Sequence, residues 1–474
     1  MSSPNKPLIV PLIVACALFM ENLDSTVITT ALPQMALTFG TTAVHLNIGV
    51  TAYILSLAVF VPVSGWVADR LGGRAVFRAA IGIFTLGSIL CGLSNSTEQL
   101  IAARVLQGFG GAMMTPVGRL VMLRSIDRSD LARAVSYLTV PAQLGPVMGP
   151  VVGGFITTYL SWRWIFFINL PIGLLGMLLV TLYIDNRSEG RRRPLDWLGF
   201  LLTGTAAIAV MYGVETIGRR GEDPLLGAVS LVIGLALGTL AVLHFRRAPA
   251  PLLDLSLLRV PTFRANFWGG LLFRMSIVTP FLLPIMFQLV FGMSAFVSGL
   301  FTFTTAAASL VMKMTAIKVM RRFGFRSVLV WNGFITAMTL LACGFLTPST
   351  PAVMIVAVLL FGGFFRSLQF NTLQTVAYAE VPPAQMSSAT TVASMVQQLG
   401  NGFGVALAAL LLQLALAWRG SSAPDLLDFR FVFAAVTALS LTSILFYLPL
   451  AKDAGAEVSG HRPKAAKAEA PAAD

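Results

Sequence analysis

LIVPLIVACALFMENLDSTVITTAL, residues 8–32, is apolar along nearly its whole length, and Glu21 and Asp24 interrupt it near the middle. At about 1.5 Å rise per residue, a helix of this length crosses a hydrocarbon core of about 30 Å. The stretch is too long for a cleaved signal peptide, carries acids in its body and lacks a strongly positive leader. Glu21 and Asp24 stand three residues apart and therefore share one face of the helix. Ionisable groups inside a membrane are costly, so they face a bundle interior or a watery cavity. Two readings follow: the acids pair or cap within the bundle, or they take part in transport.

The rest of the chain repeats the apolar pattern. Of 474 residues, 56% are hydrophobic and 11% charged, where soluble chains carry about 25% charged residues. Apolar runs of about twenty residues recur, which makes this an all-α, multi-pass membrane protein. Cys16, Cys91 and Cys343 all fall within apolar runs and suggest packing, with no disulfide framework or metal spacing.

Fourteen spans are expected, near 8–32, 46–68, 76–94, 98–120, 135–159, 164–184, 195–217, 224–245, 265–289, 296–317, 327–346, 352–378, 388–417 and 429–450. With the N-terminus inside, the outer segments receive only Arg163, Arg219, Arg220, Arg419 and Arg430. Arg104, Arg274, Lys313 and Arg366 lie within spans, and every other lysine and arginine falls on the N-terminal side. That asymmetry orients the chain with both termini cytoplasmic. It also accounts for the net charge of +13 without a nucleic-acid partner. Basic breaks at 185–194 and 246–264 divide the spans as 6+2+6. The expected units are a six-helix half over 1–184, linkers with two extra spans over 185–264, a second six-helix half over 265–452, and a disordered tail over 453–474. Pseudo-symmetric halves of this kind belong to transporters with a site at the repeat interface near the midplane.

Three stretches carry further signals. GWVADRLGGR, residues 65–74, follows the second span. Its Gly65 and Gly72 permit close approach and tight turning. Asp69 is placed to meet a helix N-terminus or to pair with Arg70 or Arg74. LIAARVLQGFGGA, residues 100–112, puts Arg104 inside the fourth span, with Gln107 one turn on. GPVMGPVVGG, residues 145–154, sets Gly145, Gly149 and Gly153 at every fourth position, beside Pro146, Pro150 and Gly154. Such a smooth face suits close helix packing, while the prolines bend or stiffen the helix.

In this order the motifs resemble those of the major facilitator superfamily. GWVADRLGGR looks like its cytoplasmic-loop signature, RVLQGFGG matches its fourth-span motif, and GPVMGPVVGG is similar to its antiporter motif. With LDSTVITTALP before them and WRWIFFINLPIG after, the chain resembles the fourteen-span drug:proton antiporters of the EmrB/QacA type. Gly73 stands where the loop signature usually has a basic residue, Thr29 where the first span usually has Asn, and Glu21 is an added acid. The second half keeps only RRFGFR at 321–326 as an echo of the loop. The resemblance implies the major facilitator fold and alternating access driven by a proton gradient, with no other cofactor. It assigns proton coupling to Asp24 and Arg104, and gating to the loop; Glu21, on the face of Asp24, is expected to share the proton coupling. Depth agrees, because Asp24 and Arg104 both lie roughly 10 Å below the outer boundary.

Arg274, Lys313 and Arg366 sit in a half with no matching intramembrane acid. They either snorkel to the surface or, with Gln107, Asn371, Gln374, Gln397 and Gln398, line a substrate cavity that favours anions. The expected function is export of drugs or other organic compounds in exchange for protons. The expected partners are a small-molecule substrate, protons and membrane lipids. Two alternatives are a transporter of an anionic amphipathic metabolite or lipid, and a non-transporting membrane sensor or scaffold on the same fold. No nucleotide loop, metal spacing or nucleophile motif points to an enzyme.

Overall fold

Proline and glycine set the joints between long apolar helices. The computed structural model describes residues 6–41, 43–185, 194–217, 224–293, 295–421 and 424–461. Helices α1 (Lys6–Phe39) and α2 (Ala43–Phe60) open the chain. Pro62 tightens the backbone into a 3-10 turn that leads into α3 (Ser64–Leu71). Gly72 then takes φ +88°, a conformation other residues rarely adopt, and turns the chain into α4 (Gly73–Leu93). Helix α5 (Thr97–Arg124) starts at Ser96, whose hydroxyl accepts from the Gln99 amide. Helices α6 (Leu131–Tyr159), α7 (Trp164–Phe167) and α8 (Asn169–Tyr183) complete the first half.

Helices α9 (Trp197–Ile217) and α10 (Pro224–Arg247) form a hairpin that packs chiefly on itself and on α2. Its closeness depends on Gly213, where a Cβ would stand 2.7 Å from the Gly227 carbonyl. Asp196 ties the hairpin's base, accepting from the Gly199 and Leu252 amides and bonding His244 Nε2 at 2.8 Å. The second half holds α11 (Pro261–Ser276), α12 (Thr279–Leu289) and α13 (Ala295–Ser327), the last broken at Gly324 by φ +73°. A π turn at Val328–Asn332 leads into α14 (Gly333–Gly344). Helices α15 (Ala352–Ala379), α16 (Met386–Arg419) and α17 (Leu426–Ile444) follow, and then the short α18 (Ala456–Ser459).

Ten segments among the described residues are long and apolar enough to cross a membrane. The expected spans near 98–120, 135–159, 195–217 and 296–317 fall outside that set, although α5, α6, α9 and α13 occupy them. In α5 the reason is visible, since it carries Glu98, Arg104, Arg119 and Arg124.

The first part of the expected tail is packed. Asp453 to His461 does not extend as disordered chain, because α18 packs against α13, α15 and α6. Val458 and Ser459 are buried, and the Gly455 amide donates to Glu380. Residues 462–474 of the expected tail lie outside the described residues.

Core packing differs between the two ends of the bundle. One end carries Arg70, Arg74, Arg78, Arg124, Arg321, Arg322 and Arg326, and is called the basic end below. There a single apolar core runs through both halves, from Val14 and Phe77 to Met320 and Val376. At the opposite end each half has its own core, around Val27, Met35 and Trp162 in the first and around Leu282, Phe287 and Phe429 in the second. Hydrogen bonds between the halves follow the shared core. Ser387 Oγ donates to the Gly65 carbonyl at 3.0 Å, and the Ser64 and Thr391 hydroxyls lie 3.3 Å apart. The halves are thus sealed together at the basic end and individually packed at the other.

Candidate functional site

Arg104 and Asp24 meet inside the first half. Arg104 is fully buried and Asp24 is 3% exposed. Arg104 Nη1 donates to Asp24 Oδ2 at 2.6 Å and to Gln107 Oε1 at 2.7 Å. Gln107 Nε2 donates back to Asp24 Oδ1 at 2.9 Å, where Asn169 Nδ2 also donates at 3.0 Å. Asn169 is held in turn by Ser88 Oγ, which donates to the Phe166 carbonyl. On the far side Arg104 Nε donates to the Gly49 carbonyl at 3.3 Å, and its guanidinium lies over the Tyr53 ring at 4.4 Å. Asp24 therefore accepts from three side chains contributed by α5 and α8.

Glycine makes that convergence possible. A Cβ at Gly87 would stand 2.8 Å from backbone atoms of Gln107, so α4 and α5 approach there backbone to backbone. Gly145 does the same for α6 and α1, with the Leu23 amide 2.8 Å from its missing Cβ. Gly149 faces the Thr26 hydroxyl one turn along. The glycine face of α6 thus packs on the very turn of α1 that carries Glu21 and Asp24. Gly153 is buried, whereas Gly154 faces open space and Pro146 is exposed, so neither of those two belongs to the seam. The side chain of Pro150 lies outside the described residues.

A leucine at Gly149 has no room beside Thr26. Overpacking of this kind costs about 1–3 kcal/mol. Gly149→Leu is expected to lower thermal stability by that amount and to depress transport. An unchanged melting curve would show that α1 and α6 do not pack this closely.

Glu21 lies one turn before Asp24, 8% exposed, and accepts from Thr115 Oγ1 at 2.9 Å. Its electrostatic neighbours include Arg119 and Asp24. The loop signature is distributed over several contacts. Gly65 meets α16, where a Cβ would come 2.5 Å from Thr391 Oγ1. Asp69 pairs with Arg124 Nη2 at 3.2 Å, a partner on α5 that the sequence reading did not name. Arg74 instead donates to the Thr181 carbonyl, and Arg70 lies over the Trp66 ring.

The residues expected to line one substrate cavity are not gathered in one place. Gln107 belongs to the Asp24 cluster, because a three-residue step along α5 sets it on the face of Arg104. Arg366 donates to Thr279 Oγ1 and edges a small pocket with Thr305, Thr336 and Thr339 inside the second half. The Lys313 side chain lies outside the described residues. Asn371 and Gln397 do reach the seam between the halves. Asn371 Nδ2 donates to Ser136 Oγ at 3.3 Å, and Gln397 Oε1 accepts from Arg119 Nη2 at 3.0 Å and Gln374 Nε2 at 2.6 Å. Arg274 is 1% exposed on α11 and reaches no surface, so it does not snorkel.

Sequence reasoning missed Asn169, Ser88, Thr115 and Arg119. Asn169 sits in the quoted stretch WRWIFFINLPIG, where the buried polar residue amid aromatics was a readable signal. Arg119 counts among the cytoplasmic-side charges in the sequence, yet α5 runs on to Arg124 and buries it beneath α16.

Residues 14–405 match the Major Facilitator Superfamily. A transport protein named HsrA, from Haemophilus influenzae, is 34% identical over 439 residues, which cover 92% of this chain and 95% of its own. A multidrug resistance protein named MdtD, from Salmonella heidelberg, is 37% identical over 405 residues, covering 84% and 85% of the two chains. Among solved structures, the human organic anion transporter MFSD10 (TETRAN) superposes with a TM-score of 0.66 at 15% identity, over 94% of this chain and 100% of its own. The proton:xylose symporter XylE bound to 6-bromo-6-deoxy-D-glucose gives 0.65 at 13% identity, over 97% and 99%. At such identities these two show a shared fold. The sequence matches, with the all-helical two-half architecture, place the chain in the Major Facilitator Superfamily, a family of transporters rather than enzymes, beside relatives named for multidrug resistance.

Proposed function

We propose that this protein is a proton-coupled antiporter that exports organic compounds across the bacterial inner membrane by alternating access. The observation that carries the proposal is the buried Asp24–Arg104 ion pair, set in a hydrogen-bonded cluster on helices of the first half. A carboxylate paired with an arginine keeps its charge, and the same carboxylate desolvated without it takes a proton. A movement that separates Asp24 from Arg104 therefore loads a proton, and the return movement releases it. Glu21, one turn away and bonded by the Thr115 hydroxyl, is a second proton acceptor in this reading.

In this proposal the chain crosses the membrane fourteen times, as six spans, two and six. The N-terminal half ends near residue 184, the linkers and α9–α10 fill 185–264, and the second half runs from 265. Both termini are cytoplasmic, because the basic end is the cytoplasmic one. The sealed basic end then makes this conformation the outward-facing one. Gly65, Asp69, Arg70, Gly72 and Arg74 belong to the gate at that seal, where Gly65 and Ser64 meet α16. The force is the proton gradient, with no other cofactor, and the substrate is a small organic molecule.

Purified protein in proteoliposomes tests the proposal. With a pH-sensitive dye inside, a panel of cationic, neutral and anionic organic compounds is added under an imposed proton gradient. At least one compound is expected to move uphill and to dissipate the gradient as it does. If none moves against its own gradient, the transport reading fails and a scaffold on this fold replaces it. A second reading, a carrier of an anionic amphipathic metabolite or lipid, is favoured by the buried Arg274, which has no carboxylate among its described electrostatic neighbours.

A further inference from the structure

Arg119 on α5 and Arg274 on α11 approach the same face of α16 from opposite halves of the molecule. Arg119 donates through Nη2 to Gln397 on that face. One turn on, Gly400 lies so close to Arg274 that a Cβ there would stand 2.8 Å from the arginine's own Cβ. Gly270 makes the matching gap on α11, where a Cβ would meet Arg274 Nη1 at 2.5 Å. Two glycines thus cradle the Arg274 side chain, and its guanidinium lies 5.7 Å from the Phe370 ring centre. Arg119 lies within electrostatic reach of Arg274.

Both guanidiniums are incompletely used. Among the described residues, Arg119 Nη1, Arg274 Nε and Arg274 Nη1 are buried without a hydrogen-bond partner, as is the nearby Tyr378 hydroxyl. The side-chain acceptor that Arg274 does have among them is Asn266, at a long 3.5 Å. Among the described residues, the electrostatic neighbours of Arg274 are Tyr447, Arg119 and Tyr378, with no carboxylate. Arg119 has Glu21 within electrostatic reach, but Glu21 accepts from Thr115. Two buried like charges with spare donors are a costly arrangement, because desolvation and mutual repulsion add. An anion that accepts from both removes each cost at once, through charge-assisted hydrogen bonds.

We infer that Arg119 and Arg274 form a binding site for a carboxylate or a similar oxyanion borne by the transported compound, bridged between the two halves. The inference rests on the transport reading for the word transported, and deepens it by naming the substrate class. It gives the anion a mechanical role, because a ligand held by α5 of one half and α11 of the other draws the halves together. Phe370 supplies an apolar face for the body of the compound beside its charged end.

The test is equilibrium binding to the purified protein, which needs no gradient and is independent of the flux assay above. The probes are dansylglycine, which is anionic, and dansylglycinamide, its neutral match. Wild type is expected to bind the anion at least about tenfold more tightly than the amide. Arg274→Gln and Arg119→Gln should each weaken the anion about tenfold or more and leave the amide unchanged. Gln397→Glu places a carboxylate against Arg119, one turn of α16 from Gly400 and Arg274. It should abolish dansylglycine binding, retain the amide and raise the melting temperature. That gain in stability guards against a reading in which the arginine variants merely misfold. Equal affinity of wild type for the two probes overturns the proposal, as does a parallel loss of both probes in the arginine variants. A protein that binds dansylglycine through these arginines yet moves nothing in proteoliposomes keeps the site and loses the transport reading.

Discussion

Asp24→Asn abolishes uphill transport of every compound that wild type moves, while any downhill flux persists. Asparagine keeps the shape of the side chain and is able to meet some of the bonds from Gln107 and Asn169, but it cannot exchange a proton. The substitution also strips Arg104 of the one carboxylate that it pairs with, and Arg104 is fully buried. Removing one partner of a buried ion pair typically costs about 3–5 kcal/mol, so the variant should also melt earlier. Charge balance and coupling separate in the double variant Asp24→Asn with Arg104→Gln. That protein should regain most of the lost stability and remain uncoupled. Glu21→Gln should reduce coupling less, since Glu21 accepts from the Thr115 hydroxyl rather than from an arginine. Uphill efflux by a well-expressed Asp24→Asn variant would remove Asp24 from the mechanism. A more severe defect in Glu21→Gln would move the proton to Glu21.

The pairing at the centre of that prediction is legible in the sequence because depth in a membrane follows from counting. Residues at equal distance from the same boundary on antiparallel spans are at one level, and Asp24 and Arg104 are such a pair. Counting does not say which polar side chains turn toward that pair. Asn169 does so because the α7–α8 joint sets it beside Ser88 at the start of α8. Partners across the chain are equally hidden. Arg124 reaches Asp69 from the end of α5, a partner fifty-five residues away that local spacing does not reveal. Arg119 shows the same limit: its place on α5 is legible, but its bond to Gln397 on α16 is not. The three intramembrane cations of the second half are conspicuous in sequence, but the surroundings of the two described ones, Arg274 and Arg366, differ. Arg366 finds a threonine and Arg274 finds another arginine. Rotation about the helix axis decides this, and composition alone does not encode it.

The seal at the basic end yields the second large effect. Ser64 and Thr391 come from different halves, and their hydroxyl oxygens are 3.3 Å apart. Both are buried, and Gly65 beside Ser64 accepts from Ser387, so the approach is held by neighbours on both sides. Cysteines in these two places have sulfur atoms near bonding range, and a disulfide forms when the Cβ atoms stand about 3.5–4.5 Å apart. The double variant Ser64→Cys with Thr391→Cys is expected to cross-link under mild oxidation and to lose transport almost completely. Reduction should restore it. Each single variant keeps the native Cys16, Cys91 and Cys343 and should remain active after oxidation, which excludes damage through those thiols. The loss follows from alternating access, because a transporter whose halves are tied at one end presents its site to the other side only. A cross-linked protein should therefore still bind its ligand from the open side, with affinity within a few-fold of the reduced form. Continued turnover in a fully cross-linked sample would show that the basic end need not open. The halves would then be one rigid body, and the seal a structural contact rather than a gate.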